Sequence, residues 1–212
     1  MAVMLETYKH LTNSLVNRVN AQRGMNNRLR DAVLPRGVRK SFVQLAKLAA
    51  ERQLAVGILA EASQRVPGNK FAITAVHTWF ANIEETNLAV AALNENWQLT
   101  SDQLPAQAEW HRIIYKNTPA KAILLSQPVA GTAVANQPEL LNMNVLSAVA
   151  GSVGHFASCL AEADQIAQVA AHNQVLLVPN VGLLTWANSL EEAIAFTETV
   201  NRMCEIILAS TH

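Results

Sequence analysis

Residues 104–136 read LPAQAEWHRIIYKNTPAKAILLSQPVAGTAVAN, and the order of signals inside them decides the fold. Leu104-Pro105 marks a turn. The stretch from about Ala106 to Asn117 predicts a helix, with His111 and Tyr115 four residues apart and so stacked on one face. A turn begun by Pro119 follows, and Ala122–Leu125 is an uninterrupted apolar run of strand length, which reads as a buried strand. That strand runs out into Ser126-Gln127-Pro128.

Upstream, Leu5, Tyr8, Leu11, Leu15 and Val19 recur at three- and four-residue steps and predict an amphipathic first helix. Pro35 and Gly37 punctuate a boundary, so residues 1–36 read as an accessory helical segment and 37–212 as the main domain. A helix is expected from about Val38 to Leu54, with Phe42, Leu45, Leu48 and Ala49 on its apolar side. Strand-length runs follow from Ala55 to Leu99: Pro67-Gly68-Asn69 separates one run from Phe71–Thr74, and Asn94-Glu95-Asn96 turns Leu88–Leu93 into Trp97–Leu99.

Downstream, residues 139–171 are rich in Ala, Leu and Val and read as helical, despite Gly151 and Gly154. Val175–Pro179 and Leu183–Trp186 form an apolar strand pair across Asn180-Val181-Gly182. Ser189 with Glu192 three positions on is a capping box that opens a last helix to about Ala209. The alternation of strands and helices predicts one three-layer αβα domain around a largely antiparallel sheet, with an extra N-terminal helix.

The 212 residues are half apolar, enough for a sizeable single core. No apolar run approaches the roughly 18–20 residues that span a bilayer, and Glu6, Lys9 and His10 interrupt any leader-like block. A soluble cytoplasmic protein without membrane association is expected. Cys159 and Cys204 share no paired spacing and read as buried thiols. Net charge is zero, yet residues 1–40 carry eight basic against two acidic residues, a local +6. No aromatic residues interleave the arginines, as stacking on single strands would want, so nucleic acid is not the expected partner. A solvated basic helix that complements an acidic face, of its own chain or of a protein partner, is.

These segments resemble the class II aldolase/adducin family over about residues 39–209. The family's phosphate-binding signature resembles Gly-Leu-x-x-Gly-x-x-Gly-Asn-x-Ser-x-Arg, where glycines let backbone amides close on an anion. Here the segment runs from Gly57 to Arg65; Ser63 and Arg65 fit, but Ala60-Glu61 replaces Gly-Asn, and a carboxylate repels a phosphate. The second signature, Ile-Thr-Pro-Ser-Gly, becomes Ile73-Thr74-Ala75-Val76-His77. Thr74 survives and the tight glycine turn is expected to be lost; His77 is a new imidazole or an ordinary loop residue.

The family's acid/base glutamate, ahead of the helical histidine, aligns with Gln107, which cannot exchange a proton near neutral pH. Glu109 lies two residues on, over half a helical turn away. The family's three metal-holding histidines align with Ser126, Pro128 and Val181, which offer weak donors or none. His10, His77, His111, His155, His172 and His212 show no HxH and no i,i+4 pair, and Glu162 with Asp164 reads as a solvated face. No dinucleotide loop, P-loop or nucleophile elbow occurs.

The resemblance therefore implies the fold, a homo-oligomer (often a tetramer) with the site between subunits, and no cofactor, zinc included. Two functions follow. The first is a non-catalytic scaffold or binding module. The second is a lyase or isomerase of altered, metal-free chemistry on a small carbonyl or sugar-acid substrate. Its candidate catalytic residues are Gln107, His111 and Tyr115, with Ser63, Arg65, Thr74 and Ser126 binding ligand. Arg65 would pair with a substrate carboxylate or else with Glu61 or Glu109.

Overall fold

A computed structural model describes residues 21, 24, 25, 28, 32–94, 104–141, 153 and 156–210. Its elements, in chain order, are α1 (Arg36–Glu51), β1 (Glu61–Val66), β2 (Lys70–Thr74), β3 (Leu88–Ala92), α2 (Ala108–Asn117), β4 (Ala122–Ser126), α3 (Val129–Ala135), β5 (Phe156–Ser158), α4 (Ala163–Ala170), β6 (Val175–Val178), β7 (Gly182–Ala187) and α5 (Leu190–Ser210). The seven strands form one sheet in the order β3-β2-β1-β4-β7-β6-β5. Every pairing is antiparallel except β5 with β6. The strand pair read at 175–186 forms around the expected turn, Val178 opposite Gly182 and Val175 opposite Thr185.

Side chains alternate across the sheet, and this alternation builds two cores. One lies under α1 and α5, where Phe42, Ala46 and Ala49 of α1 meet Ala62, Ala72, Val90 and Leu124. Farther along the same face, α3 and α5 cover Val175, Leu177 and Leu183. The other face is covered by α2 and α4 and buries Phe71, Ile73, Ile123, Leu125, Leu176 and Trp186. The result is the three-layer α/β arrangement expected, with five helices among the described residues.

Helix α5 begins on the Ser189–Glu192 signal, with the return bond taken from the residue before the N-cap. The Glu192 amide donates to Ser189 Oγ at 3.1 Å, and the Glu192 carboxylate accepts from the Asn188 amide at 2.9 Å. Cys159 and Cys204 are buried and unbridged, and Glu162 and Asp164 are exposed. Arg39 of the basic segment donates to Glu85 at 2.8 Å, a contact with the chain's own acidic surface. Among the described residues no helix is long and apolar enough to cross a membrane.

Two stretches depart from expectation. Among its described residues the span 139–171 is not one helical region: Pro138–Leu140 is a 3₁₀ turn, Phe156–Ser158 is a strand parallel to β6, and Ala163–Ala170 is α-helix. A three-residue edge strand is too short to show a two-residue period. Helix α3 is an addition to the expected elements; its seven small residues carry no amphipathic signal. The expected helix over Leu5–Val19 and strand at Trp97–Leu99 lie outside the described residues, as do His10, His155 and His212.

Candidate functional site

The alternation along β1 aims Glu61, Ser63 and Arg65 at α2, which returns His111 and Tyr115 from one face. Ser63 Oγ lies 2.7 Å from His111 Nδ1 and 2.8 Å from the Tyr115 hydroxyl. His111 Nε2 in turn lies 3.5 Å from Glu61 Oε2. A polar column, Tyr115–Ser63–His111–Glu61, thus runs along β1 inside an otherwise apolar core. Ser63 and His111 are fully buried, and Glu61 is 5% exposed.

Burial sets the charge state. It pushes the Glu61 carboxyl up to about 8, against a smaller opposing effect from the Gln107 amide that donates to it. It pushes His111 down to about 3. At neutral pH the two face each other as a carboxylic acid and a neutral imidazole, so their approach is no ion pair. Neither Glu61 Oε2 nor His111 Nε2 has a hydrogen-bond partner. Burial also raises the Tyr115 hydroxyl, with the Ser63 hydrogen bond and the Arg65 charge acting the other way.

Arg65 is occupied structurally. Its guanidinium donates to the Tyr115 carbonyl and, at 3.1 Å, to the Ala120 carbonyl, and it lies 5.0 Å above the Tyr115 ring. It ties β1 to the C-terminal end of α2, where free carbonyls and the helix dipole favour a cation. The expected alternative of a salt bridge to Glu61 or Glu109 is corrected by these contacts: Glu109 pairs with Arg112.

A cavity of about 220 Å³ opens at the head of β1, lined by Ile58, Leu59, Glu61, Val76, His77 and Gln107 among others. Glu61 is the member of the column that reaches it. Ser63 sits behind it, fully buried and outside the cavity lining. Gln107 stands just before α2 and supplies its backbone amide to Glu61. Thr74 Oγ1 accepts from the Ala62 amide at 3.1 Å and is locked into the sheet. Thus Ser63, Arg65, His111, Tyr115 and Gln107 come together, while Thr74 and Ser126 stand apart.

Glu61 is the site residue that the sequence reading missed, although its place two residues before Ser63 on the same strand face was the available signal. The glycine turn expected to be lost is kept: His77 adopts φ +57, and Thr78 closes the turn onto the Ala75 carbonyl. His77 is exposed on the cavity rim.

The positions aligned with metal ligands do not fit a metal. Ser126 pairs with Leu183 and shares its sheet face under α3 and α5, with its buried Oγ unpartnered. Val181 packs on the opposite core, under α2 and α4. Pro128 caps α3. The three side chains include no imidazole, carboxylate or thiolate, and Ser126 and Val181 belong to opposite faces. Among the described residues no three His, Cys, Asp or Glu side chains form a group that could hold a metal ion. A larger cavity of about 510 Å³, at the far end of β7, has His172 as its one titratable lining residue and none of the column.

Residues 40–208 match the sequence model of the Class II Aldolase and Adducin N-terminal domain. No curated protein matches the chain. Among solved structures, an aldolase II superfamily protein from Pseudomonas syringae is similar at 25% identity and TM-score 0.70, over 86% of this chain and 79% of that one. YgbL of Escherichia coli, a candidate aldolase, epimerase or decarboxylase, is similar at 21% identity and TM-score 0.70, over 82% and 89%. L-fuculose-1-phosphate aldolase of Thermus thermophilus is similar at 16% identity and TM-score 0.67, over 81% and 93%.

Proposed function

Because the chain belongs to the class II aldolase and adducin N-terminal domain family, we propose that it is a non-catalytic member of that family, an oligomeric binding module without metal-dependent aldol cleavage. The observation that carries this reading is the donor set at the end of β4 and the β6–β7 turn. Ser126, Pro128 and Val181 lack the ionised or imidazole ligands that a catalytic divalent cation needs. Without that Lewis acid there is no electrophile for an enediolate to form against.

The assembly part of the reading rests on the rim of the small cavity. Ile58 is 48% exposed, Leu59 66% and Val76 40%, and all three line it. Gln127 donates to the Leu59 carbonyl at 3.3 Å, which brings the segment before Val129 against this loop. Large apolar side chains gathered at one rim favour burial against another surface, here a second copy. The basic N-terminal segment would add contacts to acidic surface, of a second copy or another protein. Two free thiols suit a cytoplasmic setting.

A metal-free lyase or isomerase is the second reading. The Glu61–His111 pair favours it, since a neutral carboxylic acid at a cavity wall can give and regain a proton.

The test combines light scattering with cleavage assays on L-fuculose 1-phosphate in the presence of zinc. The account expects an oligomer and no cleavage above background. Zinc-dependent cleavage refutes it, and a monomer removes its assembly part.

A further inference from the structure

We propose that the cavity at the head of β1 binds a small organic ammonium ion, a primary amine on a short apolar body, with the Glu61 carboxylate as its counter-ion. The proposal rests on the cleft being a ligand site that works without a metal, and it names the ligand.

The geometry points there in three ways. First, Glu61 is 5% exposed and is the one carboxyl in the lining of the cavity, so it is the acidic group a ligand there meets. Second, most of the lining is apolar, with Ile58, Leu59, Val76 and Pro105, and it contains no Lys or Arg. An anion would meet no fixed positive charge. Third, the volume of about 220 Å³ is that of about seven waters, so the occupant is small.

The charged and titratable groups around Glu61 supply no counter-ion for its ionised form. Behind it stand His111 and Tyr115 of α2, both neutral through burial. Arg65, farther along the same strand face, is turned to the Tyr115 and Ala120 carbonyls. His77 is the other titratable side chain in the lining, and it is exposed on the rim. Gln107 contributes only its amide to the carboxyl.

An ammonium ion arriving at the carboxylic acid displaces its proton to solvent, leaving R–NH₃⁺ paired with the carboxylate. One proton is released per ligand bound, and the charges balance. A charge-assisted hydrogen bond in a sheltered site is strong enough to drive that exchange.

The test is isothermal titration of the full chain with n-butylammonium chloride, against n-butanol and butyrate as isosteres, from pH 6 to 9 in amine-free buffers of differing ionisation heat. The expected result is saturable butylammonium binding at least tenfold tighter than either isostere. Close to one proton is released per ligand at pH 6–7. The affinity rises about tenfold per pH unit up to pH 8 and levels off above it. Glu61→Gln should weaken butylammonium at least tenfold and abolish the pH slope. The proton count in the unaltered protein needs no variant.

Equal binding of butanol, an affinity flat below pH 8, undiminished binding by Glu61→Gln, or no heat at millimolar amine each overturns the proposal. A failed amine titration on a protein that also shows no zinc-dependent cleavage removes this ligand class alone. Zinc-dependent cleavage in the separate assay removes the functional reading and this proposal with it.

Discussion

Replacing Glu61 with glutamine should change how stability depends on pH more than it changes stability itself. In the native chain the Glu61 carboxyl rises from its ordinary 4.5 to about 8 because burial penalises the charged form. Between those values the folded protein holds a proton that the unfolded chain has released. Stability is therefore full below pH 4.5 and falls as pH rises to 8, by about 1.4 kcal/mol per unit and about 5 kcal/mol in all.

His111 works in the opposite sense. It falls from 6.5 to about 3, so its contribution is full above 6.5 and lost as pH falls toward 3. From pH 4.5 to 6.5 the two slopes cancel. From 6.5 to 8 only Glu61 acts, and the wild type should lose about 2 kcal/mol. Glutamine keeps an acceptor for the Gln107 amide and carries no charge at any pH. The stability of Glu61→Gln minus that of the wild type should therefore climb by about 1.4 kcal/mol per unit between pH 5 and 8. Urea unfolding followed by circular dichroism at each pH unit, in amine-free buffer, measures it. A difference that stays constant with pH would refute the buried, proton-holding carboxyl.

Other substitutions test the packing around the site. Gly182→Ala should cost at least about 3 kcal/mol in urea unfolding, because a methyl there would sit 2.2 Å from the Ser126 carbonyl oxygen at φ +129. His77→Gly should raise stability by about 0.5–1 kcal/mol, as glycine takes φ +57 without the penalty of a side chain, while His77→Ala should give no gain. Thr197→Val should cost about 1 kcal/mol: Thr185 loses a 2.7 Å partner but keeps the Leu124 carbonyl within 3.2 Å.

Much of the scaffold was legible because its signals are local. The capping box at Ser189, the apolar run of β4 and the β6–β7 hairpin each lie within a few consecutive residues. The i,i+4 pair His111–Tyr115 was equally readable, since helical spacing alone puts both on one face. What could not be read depends on contacts distant in sequence. Glu61 read only as a carboxylate hostile to phosphate. Only the pairing of β1 with β4, and α2 packed over both, buries it against His111, which lies far along the chain. Arg65 looked available to a ligand, yet the carbonyls that claim it lie at the end of another helix. The turn at His77 survives without its glycine because Thr78 closes it onto Ala75, a bond that composition does not announce.

The claim that most depends on chemistry rather than packing is that Ser126, Pro128 and Val181 have replaced a cation site with inert groups. Elemental analysis of the purified chain, before and after dialysis against zinc, manganese and cobalt, addresses it without any assumption about substrate. The account predicts well under one equivalent of any transition metal per chain and no change in Tm on addition of zinc or chelator. One tightly held equivalent, with a Tm that falls when it is stripped, would contradict it.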